Sequence, residues 1–302
     1  MQTRLGSAVV STHSHGGGFT PGLASTLTLA DGSRVFLKAA HRVAQKTSAS
    51  SYAEEARKLG LLPTDRLPAP RLRWADTDGD WVVLCFEVVD AEPPQRPWVD
   101  TELQRCLDSL AEISRVLGDG SALPAALELT PLHEEMPTLL HGWDKVAVWQ
   151  PDWPHRGEAA ALARALPELP QGFVHADARD DNFLLPATGP ALLCDWNWPG
   201  LGPVWIDSAT LLVSRYGDLV SSDVSEEDAA TDVAGFLAAH ELTAQVPDDE
   251  IDVWFAALCG FMLESDTRPA PTASPHLGTH RRWWAAATWS LLAVRRGWPI
   301  PR

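Results

Sequence analysis

Basic side chains are scarce in this chain of 302 residues: 24 Lys and Arg stand against 40 Asp and Glu, and the formal net charge is −16. Such a balance argues against a partner held through nucleic-acid phosphates. It favours a cationic small molecule, drawn in by long-range steering. Cysteine is also sparse, and Cys85, Cys106, Cys194 and Cys259 are scattered among apolar neighbours, which fits neither a zinc site nor a disulfide framework. No apolar run is long enough to cross a bilayer, so no membrane partner is expected. Met1 to Gly6 lacks the apolar core of a signal peptide, and a cytoplasmic location is the expectation. With 45% hydrophobic and 21% charged residues, the chain reads as globular and is long for one domain.

The most informative stretch is His175-Ala176-Asp177-Ala178-Arg179-Asp180-Asp181-Asn182, followed by two short apolar runs and then Asp195-Trp196-Asn197. Phe183 to Leu185 and Ala191 to Cys194 read as two strands, joined by the turn signals of Pro186-Ala187-Thr188-Gly189-Pro190. A hairpin folded there brings Asn182 and Asp195 together at its open end, with Asp177 close by. One amide oxygen and two carboxylates suit magnesium, which binds through few carboxylates plus substrate phosphates. That chemistry points to phosphoryl transfer.

The spacing His-x-Asp-x-x-x-x-Asn followed by Asp resembles the catalytic loop and metal segment of the protein-kinase-like fold. Asp195-Trp196 and the downstream Gly202-Pro203-Val204-Trp205-Ile206-Asp207-Ser208-Ala209 are similar to the aminoglycoside phosphotransferase and choline kinase branch. The resemblance implies an α+β bilobal fold, with an antiparallel N-terminal sheet carrying one helix and a larger, mainly helical C-terminal lobe. It further implies ATP or GTP and Mg2+ as cofactors. Gly16-Gly17-Gly18-Phe19-Thr20 is similar to the phosphate-covering loop of that branch, following a strand candidate at Ser7 to Ser11. Two further strands, Leu27 to Leu29 and Arg34 to Leu37, flank the turn Ala30-Asp31-Gly32, and the second ends in Lys38, where the family carries its phosphate-binding lysine. Lysine on an apolar strand needs an anionic partner. Glu54 and Glu55 open a helical run to Leu59, and Glu55 matches the family's helix better. Trp81 to Phe86 is a strong strand running into Glu87, Val88 and Val89, which resembles the hinge that holds the adenine edge.

Beyond Glu92-Pro93-Pro94 the periodicity turns helical, with Leu103, Cys106, Leu107, Leu110, Ile113 and Leu117 on one face. The change places the domain boundary between residues 1–89, the nucleotide-binding lobe, and 90–302, the catalytic and substrate-binding lobe. Further helices are expected at Glu158–Leu166, Ser208–Ser214, Glu226–His240, Asp249–Leu263 and Thr279–Arg296, the last stopped by Gly297. The late tryptophans read first as core, with some able to line an acceptor pocket; acidic residues nearby, such as Asp252, Glu264 and Asp266, could hold its cationic groups, and no one of them is singled out.

On this resemblance Asp177 accepts or orients the acceptor hydroxyl's proton, and Asn182 and Asp195 hold the metal. Lys38, fixed by Glu55, contacts the phosphates while backbone at Gly17, Gly18, Phe19 and Thr20 covers them. Arg179 stabilises the transition state, His175 orients the loop, and Asp207 anchors it or caps the next helix. Asp180 and Asp181 are expected to face outward. The expected activity is ATP- or GTP-dependent O-phosphotransfer to a hydroxylated, possibly cationic small molecule, such as an aminoglycoside or another antibiotic. A metabolic kinase for choline, an amino sugar or homoserine remains open, as does a silent nucleotide-binding module.

Overall fold

Residues 2–15, 22–269 and 276–300 are described by a computed structural model of the chain. A short helix, α1 (Gln2–Leu5), precedes strands β1 (Val9–Ser14), β2 (Leu23–Leu29) and β3 (Arg34–His41). Helix α2 (Lys46–Leu59) follows, then β4 (Leu72–Asp76) and β5 (Trp81–Glu87). These five strands form one antiparallel sheet in the order β1-β2-β3-β5-β4. Alternation along β3 sends Val35, Leu37 and Ala39 to one face, where they bury with Leu27, Leu29, Val83 and Cys85. Phe36 and Ala40 take the opposite face and share a core with Ala49, Tyr52, Ala56 and Leu59 of α2. Lys38 lies on that second face, where it reaches Glu55 of α2.

Four N-terminal boundaries differ from the sequence expectation. Strand β2 begins at Leu23 rather than Leu27, because Leu23 and Ser25 pair with Ala39 and Leu37. Strand β1 starts at Val9 and runs to Ser14, because Thr12 and Ser14 pair with Leu27 and Ser25. Lys38 does not end β3; pairing with β5 extends that strand to His41, opposite Trp81. Helix α2 begins at Lys46 rather than Glu54, since Ser48, Ala49 and Tyr52 already bury one face. Small and polar residues there gave no apolar period to read.

After β5 come β6 (Ala91–Glu92) and α3 (Asp100–Leu117), whose apolar stripe from Leu103 to Leu117 is buried as expected. Each buried leucine in such a stripe contributes about 1.5–3 kcal/mol. Then come α4 (Leu132–Glu135), α5 (Thr138–Trp149), α6 (Arg156–Arg164), β7 (Gly172–Val174), β8 (Phe183–Pro186), β9 (Leu192–Leu193) and β10 (Gly200–Gly202). Four long helices follow: α7 (Ile206–Ser221), α8 (Glu226–Ala239), α9 (Asp248–Asp266) and α10 (Leu277–Arg296). Helix α9 runs among α5, α6 and α10. Gly297, at φ 63°, stops α10 in the left-handed region. Arg295 and Arg296 in its last turn reach Asp248, Asp249 and Asp252 at the start of α9, joining opposite ends of two helix dipoles.

Two small ladders carry the chemistry-bearing segments. The hairpin β8–β9 pairs Phe183 with Leu193 and Leu184 with Leu192, while β6 adds to its other edge through Ala91 and Pro186. Strand β7, which leads into His175, pairs with β10 through Val174 and Gly200. The whole is an α+β fold of two lobes. Among the described residues, no helix is long and apolar enough to cross a membrane.

Candidate active site

The segment after β7 is held from below by the first turn of α7. Asp207 accepts hydrogen bonds from the backbone N–H of His175 (2.7 Å) and of Ala176 (3.0 Å), which fixes a sharp turn with Ala176 at φ 66°. His175 is fully buried, edge-on to Trp196 at 4.9 Å, and its Nδ1 accepts from the Asp177 N–H. Burial lowers the His175 pKa to about 4, so the ring is neutral at pH 7. Asp177 then turns upward. Its Oδ1 accepts from Arg179 Nη1 (2.8 Å) and its Oδ2 from Asn182 Nδ2 (3.0 Å), while its backbone carbonyl takes a second bond from the same amide (2.8 Å). Loss of solvation raises the Asp177 pKa to about 7, against the opposing pull of Arg179, with Asp195 and Asp181 adding to the rise.

The hairpin closes the arrangement. Cys194 N–H donates to the Asn182 carbonyl (2.8 Å), so Asn182 and Asp195 come together at its open end. Asp195 sits at φ 62°, in the left-handed region. Asn197 stabilises that turn: with Nδ2 donating to the Asp195 carbonyl (2.8 Å), its oxygen accepts from Ser51 Oγ (2.5 Å) and Trp198 Nε1 (2.9 Å). Lys58, itself nearly buried, donates to the carbonyls of Asn197 (3.2 Å) and Pro199 (3.3 Å). From the opposite lobe, Lys38 Nζ donates to both Glu55 oxygens (2.9 and 3.0 Å) and to Asp195 Oδ1. Glu54 instead pairs with Arg57 and Lys58. Burial pushes Asp195 upward, but the Lys38 ammonium outweighs it and holds the carboxyl below its usual range. Glu55, shut away from solvent, is displaced upward despite the same ammonium. Two carboxylates, one on each lobe, thus share one lysine.

The sequence profile of the phosphotransferase enzyme family matches residues 24–264. The chain belongs to that family. Its fold is similar to that of an amicoumacin kinase solved with AMP-PNP and Ca2+, at TM-score 0.58 and 15% identity over 96% of this chain and 89% of that one. An aminoglycoside phosphotransferase mutant solved with ADP and hygromycin B gives TM-score 0.58 at 14% identity, over 98% and 96% of the two chains. Choline kinase from Streptococcus pneumoniae gives 0.55 at 15% identity, over 97% and 96%. No curated protein sequence gives a significant match. The chain is a small-molecule kinase of the phosphotransferase family.

In this phosphotransferase the remaining expected positions divide three ways. Glu87 and Val89 lie half-buried where β5 leaves the sheet, with Glu87 Oε1 accepting from the Arg71 N–H (3.1 Å). Gly17, Gly18, Phe19 and Thr20 lie outside the described residues. Gly22, just after them, runs so close to Tyr52 that a Cβ there would come within 2.5 Å of its hydroxyl. Asp180 departs from expectation: it does not face outward but pairs with Arg96 Nη1 at 2.5 Å. Asp181 pairs with Arg179. Asp252, Glu264 and Asp266 are likewise engaged within the chain, by Arg295 and Arg296, by Lys145 and Arg268, and by Arg282. Their expected role toward a cationic acceptor therefore has no support in the contacts. Sequence reading missed Lys58, Asn197 and Arg96. Scarcity of lysine was the one available signal for Lys58; Arg96 acts across long sequence separations that no local pattern marks, and Asn197 joins a local bond to Asp195 with a distant one to Ser51.

Proposed function

We propose that this kinase moves the γ-phosphoryl group of ATP or GTP to a hydroxyl of a small molecule, with an antibiotic such as an aminoglycoside as the leading acceptor class. The observation that carries the reading is the bond from Lys38 of one lobe to Asp195 of the other, beside the Asp177–Asn182 pair that the hairpin holds next to it. The relatives solved with nucleotide and with hygromycin B support the acceptor class. Part of the proposal is a division of labour at residue 89, with residues 1–89 binding nucleotide and 90–302 carrying catalysis and the acceptor. A cytoplasmic location, where ATP is available, belongs to the same reading.

Phosphoryl transfer asks the protein for charge neutralisation and in-line placement more than for covalent help. Asp177, held by Arg179 and Asn182, receives or orients the proton of the acceptor hydroxyl. Its pKa near 7 leaves the carboxylate substantially ionised at neutral pH and able to bind that proton. Lys38, positioned by Glu55, exchanges its bond to Asp195 for the α- and β-phosphates as nucleotide enters. Arg179, beside Asp177, supplies positive charge where the transferred group passes. His175 and Asp207 hold the loop's shape. Glu87 and Val89 offer the hinge backbone to the base, and the backbone of Gly17, Gly18, Phe19 and Thr20 covers the phosphates.

The metal donors fit a hard divalent ion. Asn182 spends its amide N–H on Asp177 and so directs its oxygen away, and Asp195 is an ionised carboxylate with its side chain 39% exposed. An ion held by these two protein oxygens completes its coordination with nucleotide and water, as magnesium commonly does. Magnesium held by Asn182 and Asp195 would supply Lewis-acid neutralisation of the phosphate oxygens.

The test is a panel of acceptors (aminoglycosides, choline, amino sugars, homoserine) assayed for Mg2+-dependent ADP or GDP release. Acceptor-stimulated release by one class, lost in Asp177→Ala, is the expected result. Nucleotide binding without release under any acceptor would turn the reading toward a silent binding module.

A further inference from the structure

The catalytic loop has a second anchor, far from the first in sequence. Asp218 lies on α7 eleven residues after Asp207, three turns on, so the two carboxylates share a helix face about 16 Å apart along the axis. Asp207 takes the backbone of His175 and Ala176 directly. Asp218 reaches the other half of the loop through an intermediary: Arg96 donates Nε and Nη2 to the two Asp218 oxygens, both at 2.6 Å, and its Nη1 lies 2.5 Å from Asp180 Oδ2. The guanidinium is a planar fork able to hold two carboxylates in one plane, which an ammonium does only as a point charge.

The segment carrying Arg96 is itself fastened to α7. Trp98 N–H donates to Asp218 (3.0 Å), its indole donates to Ser214 (2.7 Å), and its carbonyl accepts from Arg215 (2.9 Å). Arg96 also lies 5.9 Å from the Trp98 ring centre and 5.4 Å from that of Trp283. Trp283 is seated in turn by Gly217, where a Cβ would come within 2.4 Å of the indole. The arginine is thus over-determined by three elements, and its third N–H has Asp180 as its partner.

We propose that Arg96 is a positioning residue for phosphoryl transfer: by clamping Asp180 to α7 it fixes the half of the catalytic loop that carries Arg179 and Asn182. Asp180 lies between Arg179, which binds Asp177, and the amide of Asn182, which does the same. A loop released at Asp180 lets both partners of Asp177 drift, and displacements of about 1 Å at a reacting centre cost up to about 100-fold in rate. The contacts described for Arg96 go to Asp180, Asp218, Trp98 and Trp283, none of which belongs to the proposed nucleotide site, so its loss acts on turnover rather than on nucleotide engagement. This inference rests on the proposed function; its experiment has an arm that does not.

The experiment compares wild type, Arg96→Lys, Arg96→Ala, Asp180→Asn and the double variant Arg96→Ala/Asp180→Asn. Mg2+-dependent turnover of ATP or GTP is measured with the best acceptor of the panel, or with water if none stimulates. Amide hydrogen exchange of residues 175–182 is followed in parallel. Arg96→Ala is expected to lower kcat about tenfold or more with the nucleotide KM within about twofold, since an interaction felt only in the transition state behaves that way. Arg96→Lys recovers part of the loss, the double variant is no worse than Arg96→Ala, and exchange in 175–182 accelerates in Arg96→Ala and Asp180→Asn. Unchanged kcat, or additive losses in the double variant, overturns the clamp. Should wild type turn over no nucleotide, the proposed function fails, and exchange decides the clamp alone: unaltered protection of 175–182 in both single variants overturns it. Asp180→Asn keeps the Arg96–Asp218 pair, so it serves if Arg96→Ala fails to fold.

Discussion

Asp177 stands between opposed influences, and its protonation reports which one prevails. Desolvation raises its pKa to about 7 while Arg179 pulls it back. The form that accepts a proton is the ionised one, so kcat/KM for the acceptor should climb with pH and level off above about 7. Removing the restraining charge moves the group further up: in Arg179→Gln the climb should shift to higher pH, whatever happens to the plateau. A pH–rate profile of both proteins checks this, and a shift to lower pH would reverse the assigned sign. Lys38 gives a second residue-scale expectation. Shared between Glu55 and Asp195, it is the cation proposed above to meet the incoming phosphates. Lys38→Ala should raise the nucleotide KM about tenfold or more, read by initial rates against nucleotide concentration. Unchanged nucleotide kinetics would hand that contact to another cation.

At the scale of elements, the crossing of α5 and α9 depends on two glycines. A Cβ on Gly142 would lie 2.3 Å from the Gly260 carbonyl oxygen, and one on Gly260 would meet the Trp143 ring at 2.7 Å. Gly142→Ala should therefore cost about 1–3 kcal/mol by forcing the helices apart, measured by urea unfolding, with the specific activity of the folded fraction preserved. The same glycine explains why α5 was not read from sequence. Leu139, Trp143 and Val146 do fall on one face, yet a glycine inside the run reads as a breaker, and only the close approach of α9 reveals its purpose. Helix α3 was legible because its buried stripe is uninterrupted, and α10 because Gly297 marks its end. The hairpin and its pairing were legible too, since two short apolar runs around Pro186–Pro190 leave one register that buries Phe183 and Leu193. What stayed hidden is what tertiary structure decides: the left-handed turns at Ala176 and Asp195, and the Arg96–Asp180 ion pair between segments distant in the chain.

Over the whole molecule, the excess of 40 acidic over 24 basic residues makes a field that long-range association feels. If the acceptor is a cation, its kcat/KM should fall steeply as salt rises to about 0.15 M, where screening acts within about 8 Å. The turnover number at saturating acceptor should stay nearly level across that series. A flat kcat/KM would mean that steering plays no part and the acceptor carries little positive charge. Phosphoryl transfer at this site turns less on the choice of acceptor than on one proposed ligand, the Asp195 carboxylate at the mouth of the hairpin, bonded to a lysine from the opposite lobe. The most direct measurement follows label from the γ-phosphate of ATP or GTP in the presence of Mg2+, comparing wild type with Asp195→Ala. Label moving to the acceptor hydroxyl, or to water, in wild type and not in the variant is the predicted result. Transfer at a near-normal rate in Asp195→Ala would contradict it.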